Sequence, residues 1–223
     1  MTGTKAVSSA FVRIWDWPVR IVHWAMVLLI ALAWWAVETR HMIWHYRFGY
    51  ALLGVLLFRL IWGLLGSSTA RFASFVRAPR QVLQYLRGGG RPVHGHNPLG
   101  AYSVIALLGA LALQIGLGLF AANSDGSRAG PFATRVATGM AHVAGDLHKA
   151  NFYLLLALAG IHVAAILFYL IVRHDNLITP MLTGRRLAPA GTEPMAAAPV
   201  WRLLIAIAAG AGVAIWLVLG GRP

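Results

Sequence analysis

LHKANFYLLLALAGIHV, residues 147–163, places His148 and His162 at the two ends of an almost unbroken apolar run. The two are 14 residues apart, which on an α-helix falls about 40° short of four full turns. Both imidazoles therefore share one helix face. At about 1.5 Å of rise per residue they stand about 21 Å apart along the axis, most of a hydrocarbon core of about 30 Å. The apolar run continues from about Ala150 to Val172, long enough to span a bilayer. One face of one spanning helix presents an imidazole near one membrane surface and a second far deeper. Polar groups inside a bilayer are costly and mark function by default; the alternative for His162 is a hydrogen bond to a neighbouring helix.

The rest of the chain has the same character. Of its 223 residues, 59% are apolar and 11% charged, against about 25% charged in an ordinary soluble domain. That balance excludes a soluble globular domain and, equally, a disordered one. Four further apolar runs emerge, at about Trp17–Val37, Phe48–Gly66, Leu99–Ala122 and Leu203–Leu219. The expected fold is all-α and membrane-integral: a four-helix bundle followed by a fifth C-terminal spanning helix. No strand pattern and no internal repeat stands out. The first run follows Arg13, Asp16 and Arg20 and precedes no small-residue cleavage site, so it reads as a retained helix rather than a signal peptide.

A net charge of +13 raises the question of nucleic acid. The basic residues cluster between the apolar runs instead, as the positive-inside rule requires of a membrane protein. With the N-terminus inside, twelve lysines and arginines fall in inner segments and six in outer ones. The inner segment 67–97 carries Arg71, Arg77, Arg80, Arg87 and Arg91 and a helix-breaking Gly88-Gly89-Gly90. In the outer segment 123–147, residues Thr134–Val143 are expected as a short interfacial helix. Asn97-Pro98 reads as a cap and first-turn proline. Residues 187–200, rich in Ala and Pro, read as a linker to the fifth helix.

There is no cysteine, and there are nine histidines against six acids. Disulfides, iron–sulfur clusters and thiol catalysis are excluded, and any metal falls to histidine or carboxylate, with histidine favoured by number. His23 lies in the inner part of the first run and His45 at the outer start of the second. In an antiparallel arrangement His45 is level with His148, and His23 with His162. Two pairs at two depths suit two cofactors stacked across the membrane. Haem takes axial imidazoles from facing helices. A histidine-bound metal ion in a transporter usually wants carboxylates alongside, and the five runs contain none away from their ends. Haem is favoured on that reasoning.

His41 and His142 read as interfacial, His94 and His96 as inner-loop residues, and His174 as a headgroup-level residue. Arg59 lies 14 residues beyond His45 and shares its face. Two roles fit it: pairing with a haem propionate, or snorkelling to the inner headgroups. Trp15, Trp17, Trp24, Trp44, Trp62 and Trp201 form an interfacial belt. Trp34 and Trp35 are placed to pack on an outer cofactor. Gly109, Gly116, Gly118 and Gly160 serve either close helix packing or room for a porphyrin.

WDWPVRIVHW (15–24), WHYRFGYALLGVLLFRLIWG (44–63), GHNPLG (95–100), the LHKANFYLLLALAGIHV run and NLITPMLTGRR (176–186) together resemble the bacterial di-haem b-type cytochromes of the cytochrome b-561 type. That family includes the b-type subunit of nickel–iron hydrogenases. The resemblance covers about residues 11–186, leaving 187–200 as the linker and 201–223 as an added spanning helix. It implies two haem b groups, with His23 and His162 as axial ligands of the inner one and His45 and His148 of the outer one. It further implies electron transfer between a quinone, ubiquinone or menaquinone, and a partner such as a c-type cytochrome, a hydrogenase or a dehydrogenase. The expected location is the bacterial inner (cytoplasmic) membrane, with the N-terminus cytoplasmic, lipid all round and no nucleic-acid partner. Two other functions compete: a superoxide:quinone oxidoreductase, hinted at by a net +2 on the outer segments, and a histidine-lined metal transporter.

Overall fold

The computed structural model describes residues 9–76, 78–84, 87, 98–125, 127–189 and 191–220. Lys5, Arg77, the Gly88–Gly90 run, Arg91, Pro92, His94, His96, Asn97 and Arg222 lie outside them. Among the described residues eight α-helices occur in order: α1 (Trp17–Glu38), α2 (Met42–Leu65), α3 (Phe72–Phe75), α4 (Pro79–Gln84), α5 (Pro98–Phe120), α6 (Thr138–Ile171), α7 (Ile178–Thr183) and α8 (Val200–Val218). Five of them, α1, α2, α5, α6 and α8, are long and apolar enough to cross a membrane. Their outward residues include Ile161, Val163 and Ile171, all more than half exposed, as a lipid-facing surface requires.

Two of these helices start earlier than hydropathy suggests. α2 begins at Met42 rather than Phe48, and α6 at Thr138 rather than Ala150. Apolar runs report where side chains leave the hydrocarbon, whereas backbone groups stay internally paired for as long as nothing breaks the helix. No proline interrupts 138–171, so α6 runs unbroken for 34 residues. The short interfacial helix expected at Thr134–Val143 is replaced by a 3₁₀ turn at Ala133–Arg135 and the first turns of α6.

Two strands are present where none was expected. β1 (Ser9–Arg13) pairs antiparallel with β2 (Arg185–Pro189), Phe11 opposite Leu187. Within β1 only Val12 is buried, so neither face of the ribbon imposes an alternating pattern on the sequence. A two-stranded ribbon is marginal alone. This one is tied to the bundle by Ile14 N–H on the Gly184 carbonyl (2.9 Å), Met195 N–H on the Arg13 carbonyl (2.9 Å) and Thr69 Oγ1 on the Ile14 carbonyl (2.7 Å). The stretch read as a linker thus begins as strand. It is then fastened to the turn after α2, where Ser68 N–H meets the Ala196 carbonyl at 3.0 Å and Ala196 N–H meets Ser68 Oγ at 2.9 Å.

α2 lies at the centre. α1 packs along one side of it and α8 along another, while α5 and α6 form a second pair. Leu52 and Leu56 of α2 meet Leu108, Leu111 and Ile115 of α5 and Leu155 of α6 in one apolar core. The α2–α8 contact is made by small residues: a Cβ on Gly54 would stand 2.6 Å from the Gly210 carbonyl oxygen and 3.0 Å from Ala214 Cβ. Small residues let backbones approach closely where lipid supplies no hydrophobic drive to associate. α8 is therefore packed into the bundle along its length.

Asp16 organises the end where α1 begins. One carboxylate oxygen caps α1 through Val19 N–H at 2.8 Å, and the other accepts from Trp62 Nε1 of α2 at 2.9 Å. Trp62, Trp15, Val19, Val22, Phe58 and Ala206 close a second core around it.

Gly210→Leu is expected to lift α8 from α2 and cost about 1–3 kcal/mol, seen as a lowered Tm in detergent. Gly212→Leu, where a Cβ meets nothing within 4 Å, should leave Tm nearly unchanged. Asp16→Ala removes a cap and strands a buried indole N–H, a loss of about 2–4 kcal/mol; Asp16→Asn should cost clearly less in the same assay.

Candidate functional site

The continuous α6 carries both His148 and His162, so the 14-residue spacing holds them on one face. α1 supplies His23 and α2 supplies His45. The folded chain brings His23 and His162 together with ring centroids 6.4 Å apart, and His45 and His148 together at 6.1 Å. Each pair reaches across from the α1–α2 side to α6, whose main packing partner is α5. All four rings are half-buried.

Their hydrogen bonds decide which nitrogen each ring can offer. His45 Nδ1 lies 3.0 Å from the Ala33 carbonyl, and His148 Nδ1 lies 2.8 Å from the Gln114 carbonyl. A carbonyl only accepts, so both Nδ1 atoms carry the proton, and in the neutral ring the lone pair falls to Nε2. Such a backbone anchor fixes the ring and raises its basicity as a metal ligand. His162 Nδ1 is 3.4 Å from Ser103 Oγ, and His23 stands edge-on to Trp24 at 5.1 Å.

Around His148 lies an amide pair that the sequence reading missed. Gln114 Nε2 is 3.2 Å from His148 Nε2, Gln114 Oε1 accepts from Asn151 Nδ2 at 2.8 Å, and Asn151 Nδ2 also meets the Ala110 carbonyl at 3.0 Å. Asn151 sits three residues past His148, almost one turn on, which is the only signal the sequence offered. The Gln114 amide donates to the lone pair that a metal would use, so the two compete for Nε2.

Each couple would be able to hold a metal between its two imidazoles. A first-row metal sits about 2 Å from each imidazole nitrogen, and adding the distance to each ring centre separates the centroids by about 6 Å. The two pairs match that span. Gly49 adds room: it lies one turn beyond His45 on the same face, and a Cβ there would meet nothing within 4 Å. Gly118 backs His148, since its Cβ would stand 2.9 Å from Cε1 of that ring. Gly109, Gly116 and Gly160 meet nothing within 4 Å, so close helix packing does not require them.

Arg59 is only 5% exposed. Its guanidinium lies 4.9 Å from the Phe72 ring centre, and Nη1 is 3.5 Å from the Ala70 carbonyl. Gly63 leaves the space that the Phe72 ring enters. On the opposite side of the bundle, Trp34 donates to Glu38 at 3.1 Å and stands 6.0 Å from Phe152, while Trp35 stacks on His41 at 5.9 Å. In the loop after α5, two hydrogen bonds from Ser127, the backbone one first, hold the exposed Asp125 carboxyl below its ordinary range. Among the described residues no group of three or more His, Asp or Glu side chains gathers.

Residues 14–184 match the family model for prokaryotic cytochrome b561. No curated protein and no solved structure gives a significant match. The chain belongs to the prokaryotic cytochrome b561 family, and it is a multi-pass membrane protein of that b-type haem, electron-transferring class.

Gly118→Val is expected to push the His148 ring from its anchor. The variant should lower the haem absorbance per protein. Pyridine haemochrome titration against protein concentration reads the loss.

Proposed function

We propose that this chain carries electrons across the membrane through two b-type haems, one held by His23 and His162, the other by His45 and His148. The observation that carries the reading is the pair of imidazole couples, 6.4 and 6.1 Å apart by centroid, at two levels of one continuous α6. A bis-imidazole haem, when bound, supplies a reversible one-electron couple. The chain's own residues do the rest. The carbonyls of Ala33 and Gln114 orient His45 and His148. Arg59, buried 14 residues inward of His45, is suited to a charge-assisted contact with a propionate. Apolar residues of α2, α5 and α6 keep water from the space between.

In this reading the circuit runs between the quinone pool, ubiquinone or menaquinone, and a partner redox protein: a c-type cytochrome, a hydrogenase or a dehydrogenase. The distribution of arginines supports a cytoplasmic N-terminus in the bacterial inner membrane. Redox potential would then be set by burial and the hydrogen bonds to the ligating rings.

One observation supports a second reading, a superoxide:quinone oxidoreductase. Arg40, His41, Trp44 and Arg47 line an open pocket at the start of α2, all within five residues of His45. Positive charge there steers a small anion. Haem reduction by a superoxide pulse, slowed by added salt and followed by reoxidation with quinone, would favour it; no reduction within the lifetime of the pulse removes it.

The deciding measurement is haem content with reduced-minus-oxidised spectra of wild type, His45→Ala and His162→Ala. About two b-type haems per chain are expected, each variant losing a different one, with distinct α-band positions remaining. A single haem abolished by both substitutions would overturn the two-site reading.

A further inference from the structure

We propose that the end of the bundle where α1 and α8 begin and α2 ends binds the phosphate group of an anionic membrane lipid. A cavity of about 440 Å³ opens there, walled by Arg13, Arg20 and Arg185 and with Ser67 among its lining residues. Ser67 is 1% exposed, and its hydroxyl has no hydrogen-bond partner among the described residues. Arg20 Nε is buried and likewise without a partner. The Arg20 guanidinium is nonetheless fixed, because Nη1 donates to the Leu182 carbonyl. Two residues that line the cavity, Ser67 and Arg20, thus each carry a buried donor without an acceptor, and buried polar groups are almost always satisfied.

The charge of the missing acceptor follows from the walls. Three guanidiniums face one carboxylate, Asp16. Both Asp16 oxygens are already engaged, by Val19 N–H and Trp62 Nε1. The cavity therefore favours an anion rich in oxygen acceptors, for which arginine is suited. The rim settles the source. Trp17 and Val200, on the first turns of α1 and α8, line the same cavity and are 52% and 69% exposed. A free phosphate has no use for an apolar lip, whereas a phospholipid must lead its acyl chains over one. Basic pockets between spanning helices bind anionic headgroups in this way.

The test uses the full-length, haem-loaded chain, delipidated in mild detergent and titrated by native mass spectrometry. Phosphatidylglycerol, phosphatidylcholine of the same acyl chains and inorganic phosphate are the probes. Phosphatidylglycerol is expected to be retained about fivefold or more over phosphatidylcholine. Arg185→Gln and Ser67→Ala should each weaken it by about fivefold, with haem absorption unchanged. Arg173→Gln, at the far end of α6 from His148 and outside the cavity lining, should have no effect. Arg185 is exposed, so Arg185→Gln decides the matter if Ser67→Ala fails to take up haem. Equal retention of the two lipids, or unchanged binding in Arg185→Gln, overturns the proposal. Full displacement of the lipid by millimolar phosphate also overturns it, leaving a free-anion site. The lipid readout does not depend on how many haems the chain holds.

Discussion

Everything in the bundle depends on the unbroken hydrogen-bond ladder of α6. It holds His148 and His162 about 21 Å apart on one face, and no loop or hinge intervenes to change that spacing. Because lipid offers no partner for a free N–H or carbonyl, any break within those 34 residues would be costly. The helix is thus a rigid ruler, and α1 and α2 have to deliver His23 and His45 to its two marks. They do so as an antiparallel pair joined by a three-residue turn at Thr39–His41, in which Arg40 takes a positive φ of 61°.

The division of packing follows from that delivery. α1, α2 and α8 form one tight group and α5 and α6 another. The histidine couples lie between the groups rather than within either. Close packing is concentrated away from the couples, at the Gly54–Gly210 contact and around Asp16 and Trp62. Within each group, polar anchors hold the rings: the Ala33 carbonyl on the α1–α2 side, and the Gln114 carbonyl, Ser103 Oγ and the Gln114–Asn151 amide pair on the α5–α6 side. Such anchors fix ring orientation without filling the space between facing rings.

The basic end of the molecule is built on different physics. There β1, β2 and the segment after it fold back over the starts of α1 and α8, held by backbone hydrogen bonds and Thr69 Oγ1. This closes the bundle below the His23–His162 level and leaves arginines around a polar floor. An N-terminal strand and a segment composed like a linker thus become one structural unit with the fifth spanning helix.

Hydropathy and helical periodicity alone determined the five spans, the two depths and the pairing of His23 with His162 and His45 with His148. These are local properties: each follows from residue spacing on a single helix and from the antiparallel order of neighbours. The sequence left Arg59 between two roles, and the folded chain adds that its guanidinium is buried against Phe72. The Gln114–Asn151 pair, the Gly54–Gly210 contact, the β1–β2 ribbon and the Ser67 cavity came from tertiary structure. Each joins residues at least 37 positions apart, and no period in the sequence encodes where such distant groups meet. Helix ends fell in between. Apolar side chains mark the edge of the hydrocarbon, while the backbone ladder of α2 and α6 continues past it until a turn becomes the better hydrogen-bonded choice.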